Sequence, residues 1–195
     1  MATIYTIGYA TKSYPVFLEQ LKRYKISALV DVRSVPFSAR FKEFDQPNLQ
    51  RALPKEKIHY IYMGDHLGPR SKDPSHYHEN RQIDFDKLNQ SRLFLQGIER
   101  LNQGLKKHYT IAMMCAEKDP ASCHRSLLIA KFIAEQNDWT VEHILHEGEL
   151  ESQPALMARL VEEQGLRCDM LSDEASITRQ AYDAQCQAVN YKRPE

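Results

Sequence analysis

Residues 3–33 read TIYTIGYATKSYPVFLEQLKRYKISALVDVR and contain two short apolar runs on either side of an amphipathic segment. The first run ends at Gly8 and the second at Arg33, and both are rich in β-branched residues, which is typical of strands. Between them, Ser13 can cap a helix that carries Pro15 in its first turn and apolar residues at helical spacing. A strand, a helix and a second strand within about 30 residues predict a βαβ unit with parallel strands.

The same alternation of strand and helix patterns continues to about residue 147. It predicts strands at residues 58–63, 109–114 and 140–145 and helices at residues 48–53, 84–105 and 126–135. Residues 65–83 are polar and contain Gly68-Pro69, so we expect a long loop there. We therefore predict a three-layer α/β domain over residues 1–147, built on a mostly parallel sheet of about five strands.

The pattern changes in the last quarter of the chain. Residues 151–164 and 173–188 are rich in Glu and Gln and have few β-branched residues, which predicts appended C-terminal helices. We assign residues 148–195 to a helical extension packed on the same domain, through which the protein could oligomerise. Its cysteines, Cys168 and Cys186, are expected to pack rather than to take part in a site.

The composition argues against several classes of protein. Lys plus Arg and Asp plus Glu are each 26, so nucleic-acid binding would need a local basic patch rather than overall charge. The longest apolar runs are far shorter than the ~20 residues that cross a bilayer, and no basic start or long apolar core suggests a signal peptide. Four cysteines in such a chain predict reduced thiols. We therefore expect a cytoplasmic protein that does not contact membranes.

The polar loop after the fourth predicted strand contains the densest group of reactive side chains. It runs CAEKDPASCHR from Cys115 to Arg125 and leads into the helical pattern of residues 126–135. Because ligands bind at the carboxyl ends of strands in an open α/β sheet, this loop is the predicted site. A helix start also presents free backbone N–H groups, which favour anions and lower the pKa of a nearby thiol.

Three interpretations of this loop are open from the residues alone. In the first, Cys115 or Cys123 is a thiolate nucleophile, and Arg125 and backbone amides hold an anionic substrate. In the second, Cys115, Cys123 and His124 bind zinc or iron together with a carboxylate, although the spacing of the thiols is unlike that of structural zinc sites. In the third, the cysteines are buried packing residues and Arg125 pairs with an acidic neighbour.

Polar residues at other predicted strand ends point to the same edge of the sheet. Asp31 and Arg33 are two residues apart, so in an extended segment their side chains share a face. Arg33 could hold an anion while Asp31 orients it or His124, or the two could form a structural ion pair. Tyr9 follows the first strand and is expected to cover the site, hydrogen-bond a ligand or simply pack.

A basic and aromatic region supports a rival interpretation from another class. Arg33, Arg40 and Lys42 alternate with three phenylalanines near residues 34–51, and such a loop can grip phosphates and stack bases. Glu43 lies among them and dilutes the positive charge. The pattern is consistent with a non-catalytic nucleic-acid or nucleotide-binding module.

Several segments of the chain resemble the DUF488 family, an uncharacterised family of bacterial and archaeal proteins. They are Ile7-Gly8-Tyr9 followed by Ser13; Asp31-Val32-Arg33 with Pro36 and Ser38; Leu67-Gly68; and Cys115-Ala-Glu117-Lys-Asp-Pro120 through Cys123-His124-Arg125. The resemblance covers roughly residues 3–146, and its last motif is highly specific. Pro69 departs from it, because the family often has a second glycine after Leu-Gly. The resemblance implies paired cysteines of functional importance and no particular reaction.

Our leading hypothesis from the sequence is an enzyme whose cysteine-containing site binds a small anionic, phosphate-bearing ligand. Cys115 is the expected reactive thiol, Cys123 the second thiol, and His124 the residue that transfers protons or orients the ligand. The predicted ligand-binding residues are Arg125, Arg33, Asp31, Tyr9 and Glu117. This hypothesis includes no cofactor and no metal. A nucleic-acid or nucleotide-binding module and a Cys/His metal-binding protein are the alternatives.

Overall fold

Six strands form one twisted β-sheet in the computed structural model, which describes residues 2–167 and 173–194. The strands are β1 (Ala2–Gly8), β2 (Ala28–Asp31), β3 (His59–Tyr62), β4 (Ile111–Cys115), β5 (Trp139–Ile144) and β6 (Leu150–Ser152). Their order is β3-β2-β4-β1-β5-β6; the first five are parallel, and β6 runs antiparallel to β5. The predicted mostly parallel sheet is confirmed, and β6 extends it by one short strand.

Helices cover both faces of this sheet. They are α1 (Tyr14–Arg23), α2 (Gln46–Ala52), α3 (Gly64–Leu67), α4 (Phe85–Leu88), α5 (Arg92–Lys106), α6 (Lys131–Gln136), α7 (Gln153–Glu163) and α8 (Glu174–Val189). One core contains Phe17 from α1 and Leu49 from α2, and the other contains Phe94 from α5 and Leu156 from α7. The three-layer α/β fold with C-terminal helices is therefore confirmed.

The alternation of side chains along β4 explains the two cores. Met114 belongs to the core under α1, whereas Met113 and Cys115 belong to the core under α5 and α6. Strands buried on both faces are apolar at every position, which is why β4 has no polar residue. Cys115 thus points to the same face as the helix that follows the reactive loop.

The predicted helix over residues 84–105 is wrong in one respect, because it is two helices. Ser91 interrupts it: its Oγ accepts a hydrogen bond from the backbone N–H of Phe94 at 3.2 Å and caps α5. Apolar residues continue at helical spacing on both sides of this cap, so the sequence pattern alone does not reveal the break. The predicted loop at residues 65–83 likewise contains the short helix α3.

The C-terminal helices pack against the loop that follows β4. Tyr182 Oη donates to Leu127 O at 2.9 Å, and Gln185 Nε2 donates to Ala121 O at 2.8 Å. Cys186 is half-buried on α8, and Cys168 lies outside the described residues. The division of the chain at residue 147 stays a prediction. Among the described helices, none is long and apolar enough to cross a membrane.

Candidate functional site

The predicted site lies where the connections of the sheet change direction. β1 and β4 are neighbours, and Gly8 lies beside Cys115 at their ends. The chain leaves β1 toward α1 on one face and leaves β4 toward α6 on the other. Such a switch point opens a crevice at the carboxyl ends of the strands, where open α/β sheets bind ligands.

The loop after β4 folds back over the end of that strand. Asp119 Oδ1 accepts a hydrogen bond from the N–H of Ala121 at 2.9 Å, which starts a 3₁₀ turn over Pro120–Ser122. Cys123 is extended, and a π-helical segment, Arg125–Ala130, then leads into α6. Cys123 therefore precedes the helix. π-helical turns are rare and are frequent at functional sites.

Four side chains converge at this end of β4. Cys115 Sγ and Cys123 Sγ lie 2.9 and 3.0 Å from the same carboxylate oxygen, Glu117 Oε2. His124 Nδ1 lies 3.6 Å from the first sulfur and 3.8 Å from the second. All four ligand atoms lie within 4.8 Å of one another. The two cysteines and the histidine are buried, whereas Glu117 is an exposed residue whose carboxylate turns inward. We call these residues the Cys₂HisGlu cluster.

A backbone carbonyl fixes the orientation of the His124 ring. Its Nε2 lies 3.0 Å from Val32 O, at the end of β2. Because a carbonyl can only accept a hydrogen bond, Nε2 carries the proton. The neutral ring therefore presents the lone pair of Nδ1 to the two sulfurs and the carboxylate.

Electrostatics distinguish the two thiols. Burial raises the pKa of Cys115 well above its ordinary value, and Cys123 and Glu117 raise it further. Burial also acts to raise the pKa of Cys123, but the hydrogen bond with Cys115 and the charges of Arg125 and His124 bring that pKa well below its ordinary value. In addition, the backbone N–H of Arg125 donates to Cys123 Sγ at 3.5 Å. Cys123 is therefore the more acidic thiol of the pair.

The charge of the cluster is shared with the imidazole and the carboxylate. Burial lowers the pKa of His124, but the hydrogen bond and charge of Cys123 outweigh burial and raise that pKa overall. Burial raises the pKa of Glu117, and the nearby Cys123 adds to the effect. Three groups that can each carry a negative charge thus compete within one small volume, which favours either protonation or a bound cation.

Arg125 is fully buried beneath the loop. Its guanidinium donates to Glu117 O at 2.8 Å and to Lys118 O at 3.4 Å, and its Nε has no hydrogen-bond partner in the described part of the chain. No carboxylate of a described residue lies within 4.0 Å of this guanidinium. Arg125 therefore holds the backbone that carries Glu117, and no described carboxylate is close enough to pair with its positive charge.

A family match that spans this loop shows which family the chain belongs to. A model of the domain of unknown function DUF488 matches residues 13–132, which include the whole segment from Cys115 to Arg125. The chain belongs to the DUF488 family. No curated protein and no solved structure matches it. In this DUF488 protein, β1 and the helices α7 and α8 lie outside the matched residues.

Gly8 lets the loop of the DUF488 protein lie directly on β1. A Cβ at this position would lie 1.9 Å from Glu117 O and 3.1 Å from Arg125 Nη2. Any larger residue would therefore displace the backbone next to the cluster. The glycine is required here by close approach rather than by an unusual backbone angle.

Asp31 and Arg33 form a buried ion pair on the other face of the sheet. Arg33 Nη2 lies 2.5 Å from Asp31 Oδ2, to which Tyr60 Oη also donates at 2.6 Å. Arg33 Nη1 donates to Tyr9 Oη at 3.2 Å. The carboxylate of Asp31 is thus occupied by Arg33 and Tyr60, and it is Val32 O rather than Asp31 that contacts His124.

A cleft of about 410 Å³ opens beside the Cys₂HisGlu cluster. Cys115, Glu117 and His124 line it from the cluster side, and Tyr9 and Arg33 line it from the neighbouring strand ends. Five of the residues that we predicted from the sequence therefore share one cavity.

The other three predicted residues lie behind this cavity. Cys123 is 2% exposed and contacts the cluster rather than the cleft. Arg125 and Asp31 are both fully buried and take no part in the lining of the cleft. The predicted role of Arg125 and Asp31 in direct ligand contact has no support from this placement.

Some residues of the cleft come from segments that the sequence analysis did not assign to the site. They are Phe37, Arg70, Asn190 and Tyr191, among others. The guanidinium of Arg70 lies 4.8 Å from the centre of the Tyr191 ring. Asn190 and Tyr191 follow α8, and no sequence pattern links this end of the chain to β4, because their meeting depends on the packing of α8.

Proposed function

We propose that this DUF488 protein binds one divalent transition-metal ion, zinc by its donor set, in the Cys₂HisGlu cluster. The convergence of four ligand atoms within 4.8 Å carries the proposal. Thiolate sulfur, imidazole nitrogen and carboxylate oxygen are the donors that zinc takes in proteins, usually four at a time. The sequence left open a metal site of Cys115, Cys123, His124 and a carboxylate, and we propose that Glu117 is this carboxylate.

The distances within the cluster support a tetrahedral ion. Zn–S bonds of about 2.3 Å and Zn–N bonds of about 2.0–2.1 Å separate a sulfur and a nitrogen ligand by roughly 3.6 Å. The two separations from His124 Nδ1 to the sulfurs are 3.6 and 3.8 Å. The sulfur-to-oxygen separations of 2.9 and 3.0 Å are shorter than the roughly 3.5 Å of such a site. Glu117 would therefore move slightly outward to coordinate.

The hydrogen bond from His124 to Val32 O supports the same proposal. Histidines that bind a metal through one ring nitrogen almost always donate the other N–H to a carbonyl, a carboxylate or water. This bond fixes the tautomer whose Nδ1 can coordinate. It also restrains the ring before any ion arrives, which lowers the entropic cost of binding.

The charge of Arg125 gives a third line of support. Two thiolates, one carboxylate and a divalent ion carry one net negative charge. A fully buried guanidinium without a carboxylate partner is costly, and a centre of net negative charge close to Arg125 offsets the cost. Arg125 also donates to the carbonyl of Glu117, so it supports the ligand loop through both hydrogen bonding and charge.

The position of Glu117 suggests what the ion would do. It is the exposed ligand of the four and lines the cleft, so it is the arm that a ligand or water could replace. Zinc with such an exchangeable position acts as a Lewis acid and lowers the pKa of bound water. We therefore place the small anionic ligand predicted from the sequence in this cleft, on the open side of the ion.

A thiol-based site is the second candidate, and one observation favours it. Cys123 has the lowered pKa and accepts the N–H of Arg125, as a thiolate would. In this alternative Cys123 is the thiolate and Cys115, which lines the cleft, stays protonated. The sequence hypothesis named Cys115 as the reactive thiol, whereas these electrostatics favour Cys123.

Metal stoichiometry separates the two candidates. Full-length protein, reduced and reconstituted with Zn²⁺ and then desalted, is analysed for metal by inductively coupled plasma mass spectrometry. We expect one zinc per chain, and thiolate-to-cobalt charge-transfer absorption when Co²⁺ is used instead. Cys115→Ser, Cys123→Ser and Glu117→Gln should each weaken binding by about tenfold or more. Cys186→Ser is the matched control and should bind like wild type, because Cys186 lies on α8 outside the cluster.

Two results would decide against the metal. One is a reduced, folded protein that retains no Zn²⁺ and no Co²⁺. The other is metal binding that Cys115→Ser and Cys186→Ser reduce equally. If the protein is metal-free, the pH dependence of alkylation then tests the thiol candidate: a Cys123 pKa below the free value of about 8.5 would support it.

A further inference from the structure

We infer that the cleft beside the Cys₂HisGlu cluster binds a nucleoside monophosphate, a ligand that joins an anionic group to a flat ring with N–H donors. The inference rests on the proposed function in that the metal ion forms part of the floor of the cleft. The residues that carry it lie outside the cluster, on the walls. The volume of the cleft, about 410 Å³, is within the range of small-molecule sites, roughly 300–1,000 Å³.

Arg70 is the residue that would bind the phosphate group of the ligand. This residue is exposed, and no carboxylate of a described residue lies within 4.0 Å of its guanidinium. Its backbone N–H donates to Ser34 Oγ at 3.0 Å, which fixes the main chain, while the guanidinium stacks at 4.8 Å on the ring of Tyr191. Stacking restrains the guanidinium and leaves its N–H groups at the edge, where they can bind a phosphate in bidentate fashion.

Arg33 does not compete for this role. Its guanidinium donates to Asp31 at 2.5 and 2.9 Å, to Phe44 O at 2.8 Å and to Tyr9 Oη at 3.2 Å. A cation that is already paired with a carboxylate adds little attraction for a second anion. Arg70 is thus the unpaired arginine among the described residues that line the cleft.

An apolar wall of the cleft would bind the flat ring of the ligand. Phe37 is 55% exposed and Val35 is 48% exposed, although both side chains line a cavity of ligand size. Large apolar side chains that are left in water beside polar groups mark binding sites. A nucleobase gains affinity when its aromatic face stacks or packs on such a wall, whichever base it is. Tyr191 supplies a second aromatic surface in the same cleft.

Asn190 indicates that the ring of the ligand carries N–H donors. Its Nδ2 makes one long contact of 3.4 Å with Ile83 O, and its Oδ1 is buried without a hydrogen-bond partner in the described part of the chain. Asn190 lines the cleft, so a turn of its side chain toward a bound base would give this amide oxygen an N–H donor. A plain phosphate or a purely apolar anion would leave it unpaired.

The alternative of an extended nucleic acid fits the structure less well. Of the basic residues that suggested it, Arg33 is paired with Asp31 and Lys42 lies 3.7 Å from Asp45. Arg40 stacks on Phe41 at 5.5 Å, as Arg70 does on Tyr191, but it does not line the cleft. The net charge of the chain is zero. Binding to a polynucleotide depends on several free cations along a track. One unpaired arginine beside a bounded cleft favours a single nucleotide.

Calorimetric titration of the zinc-reconstituted full chain tests the inference. The probes are AMP, GMP, CMP and UMP, with the four nucleosides and inorganic phosphate titrated separately. We expect at least one nucleotide to bind about tenfold or more tightly than phosphate and than its own nucleoside. Arg70→Ala should weaken that nucleotide about tenfold, the loss of a charged hydrogen bond, and Phe37→Ala should weaken nucleotide and nucleoside alike. Arg100→Ala, an exposed arginine of α5 outside the cleft, is the matched control and should have no effect.

The metal content of the same samples separates this inference from the proposed function. A protein with one zinc that binds all four nucleotides no more tightly than phosphate overturns the inference and leaves the metal centre intact. Nucleotide binding that Arg70→Ala and Arg100→Ala reduce equally also overturns it. Tighter binding of a single-stranded oligonucleotide with a steep salt dependence would overturn it in favour of a polynucleotide ligand. A protein without metal refutes the proposed function itself.

Discussion

Replacement of Gly8 by alanine would drive the end of β1 into the loop that carries Glu117. A Cβ at Gly8 would lie 1.9 Å from Glu117 O, about 1.5 Å closer than the 3.4 Å at which ordinary contact begins. The loop or the strand must shift by a comparable amount, and overpacking of this kind lowers the free energy of unfolding by roughly 1–3 kcal/mol. Metal–ligand distances tolerate only about 0.2 Å, so zinc affinity should fall by about tenfold or more.

Gly104→Ala is the matched control for this substitution. Its added methyl group meets Ile111 Cδ1 at 2.9 Å, the flexible end of a side chain, and lies inside α5, where alanine is favoured over glycine by about 1 kcal/mol. Urea unfolding of the metal-free variants and competition with a chromophoric chelator for zinc measure the two effects. Wild-type stability and wild-type zinc affinity in Gly8→Ala would refute the close packing of β1 against the loop. So would equal losses in both variants.

Buried polar groups and the metal itself give three further predictions. Burial lowers the pKa of His143 to about 4, below the 6.5 of the unfolded chain. The contribution of His143 to the free energy of unfolding is therefore complete above about pH 6.5 and falls by up to about 3 kcal/mol toward pH 4. Urea unfolding at several pH values should show a weaker dependence of this free energy on pH in His143→Gln than in wild type. Asp31→Asn should lower the free energy of unfolding by about 3–5 kcal/mol, because it leaves Arg33 buried without its carboxylate. Asp86→Asn breaks an exposed ion pair with Arg179 and should change this free energy by less than about 1 kcal/mol. Similar losses in the two variants would contradict the burial of the Asp31–Arg33 pair. Zinc at one hundred times its dissociation constant should raise the free energy of unfolding by about 2.7 kcal/mol. Thermal unfolding should show no such increase when excess chelator is added, or when zinc is added to Cys115→Ser.

The parallel sheet was predictable because its central strands, β2 and β4, are buried at every position. Such strands must be apolar at nearly every position, and β4 is an uninterrupted apolar run from Ile111 to Cys115. β6 could not be predicted in the same way, since a three-residue edge strand leaves no alternation to detect. The break between α4 and α5 was hidden for a related reason: Ser91 acts through one capping hydrogen bond, and the apolar spacing continues across it.

The candidate site was predictable where its residues share one loop and not where they meet across the fold. Cys115, Cys123 and His124 follow one strand end, so their convergence required only the topology. The burial of Arg125 was not predictable, because its neighbours in sequence do not reveal on which side of the loop the guanidinium lies. Tyr191 reaches the cleft only through the packing of α8, which no local pattern encodes.

A change of chain length next to the cluster is most easily accommodated in the π-helical segment Arg125–Ala130. A π-helix bonds residues five apart rather than four, so this segment holds an extra residue compared with an α-helical turn. Deletion of one residue would let it relax to α geometry, and because the wide turn accommodates the extra residue, the flanking residues would keep their faces. A single-codon deletion here would therefore alter the backbone directly after His124 while the apolar positions of α6 keep their places. The wide turn is thus a local insertion that the rest of the fold does not require.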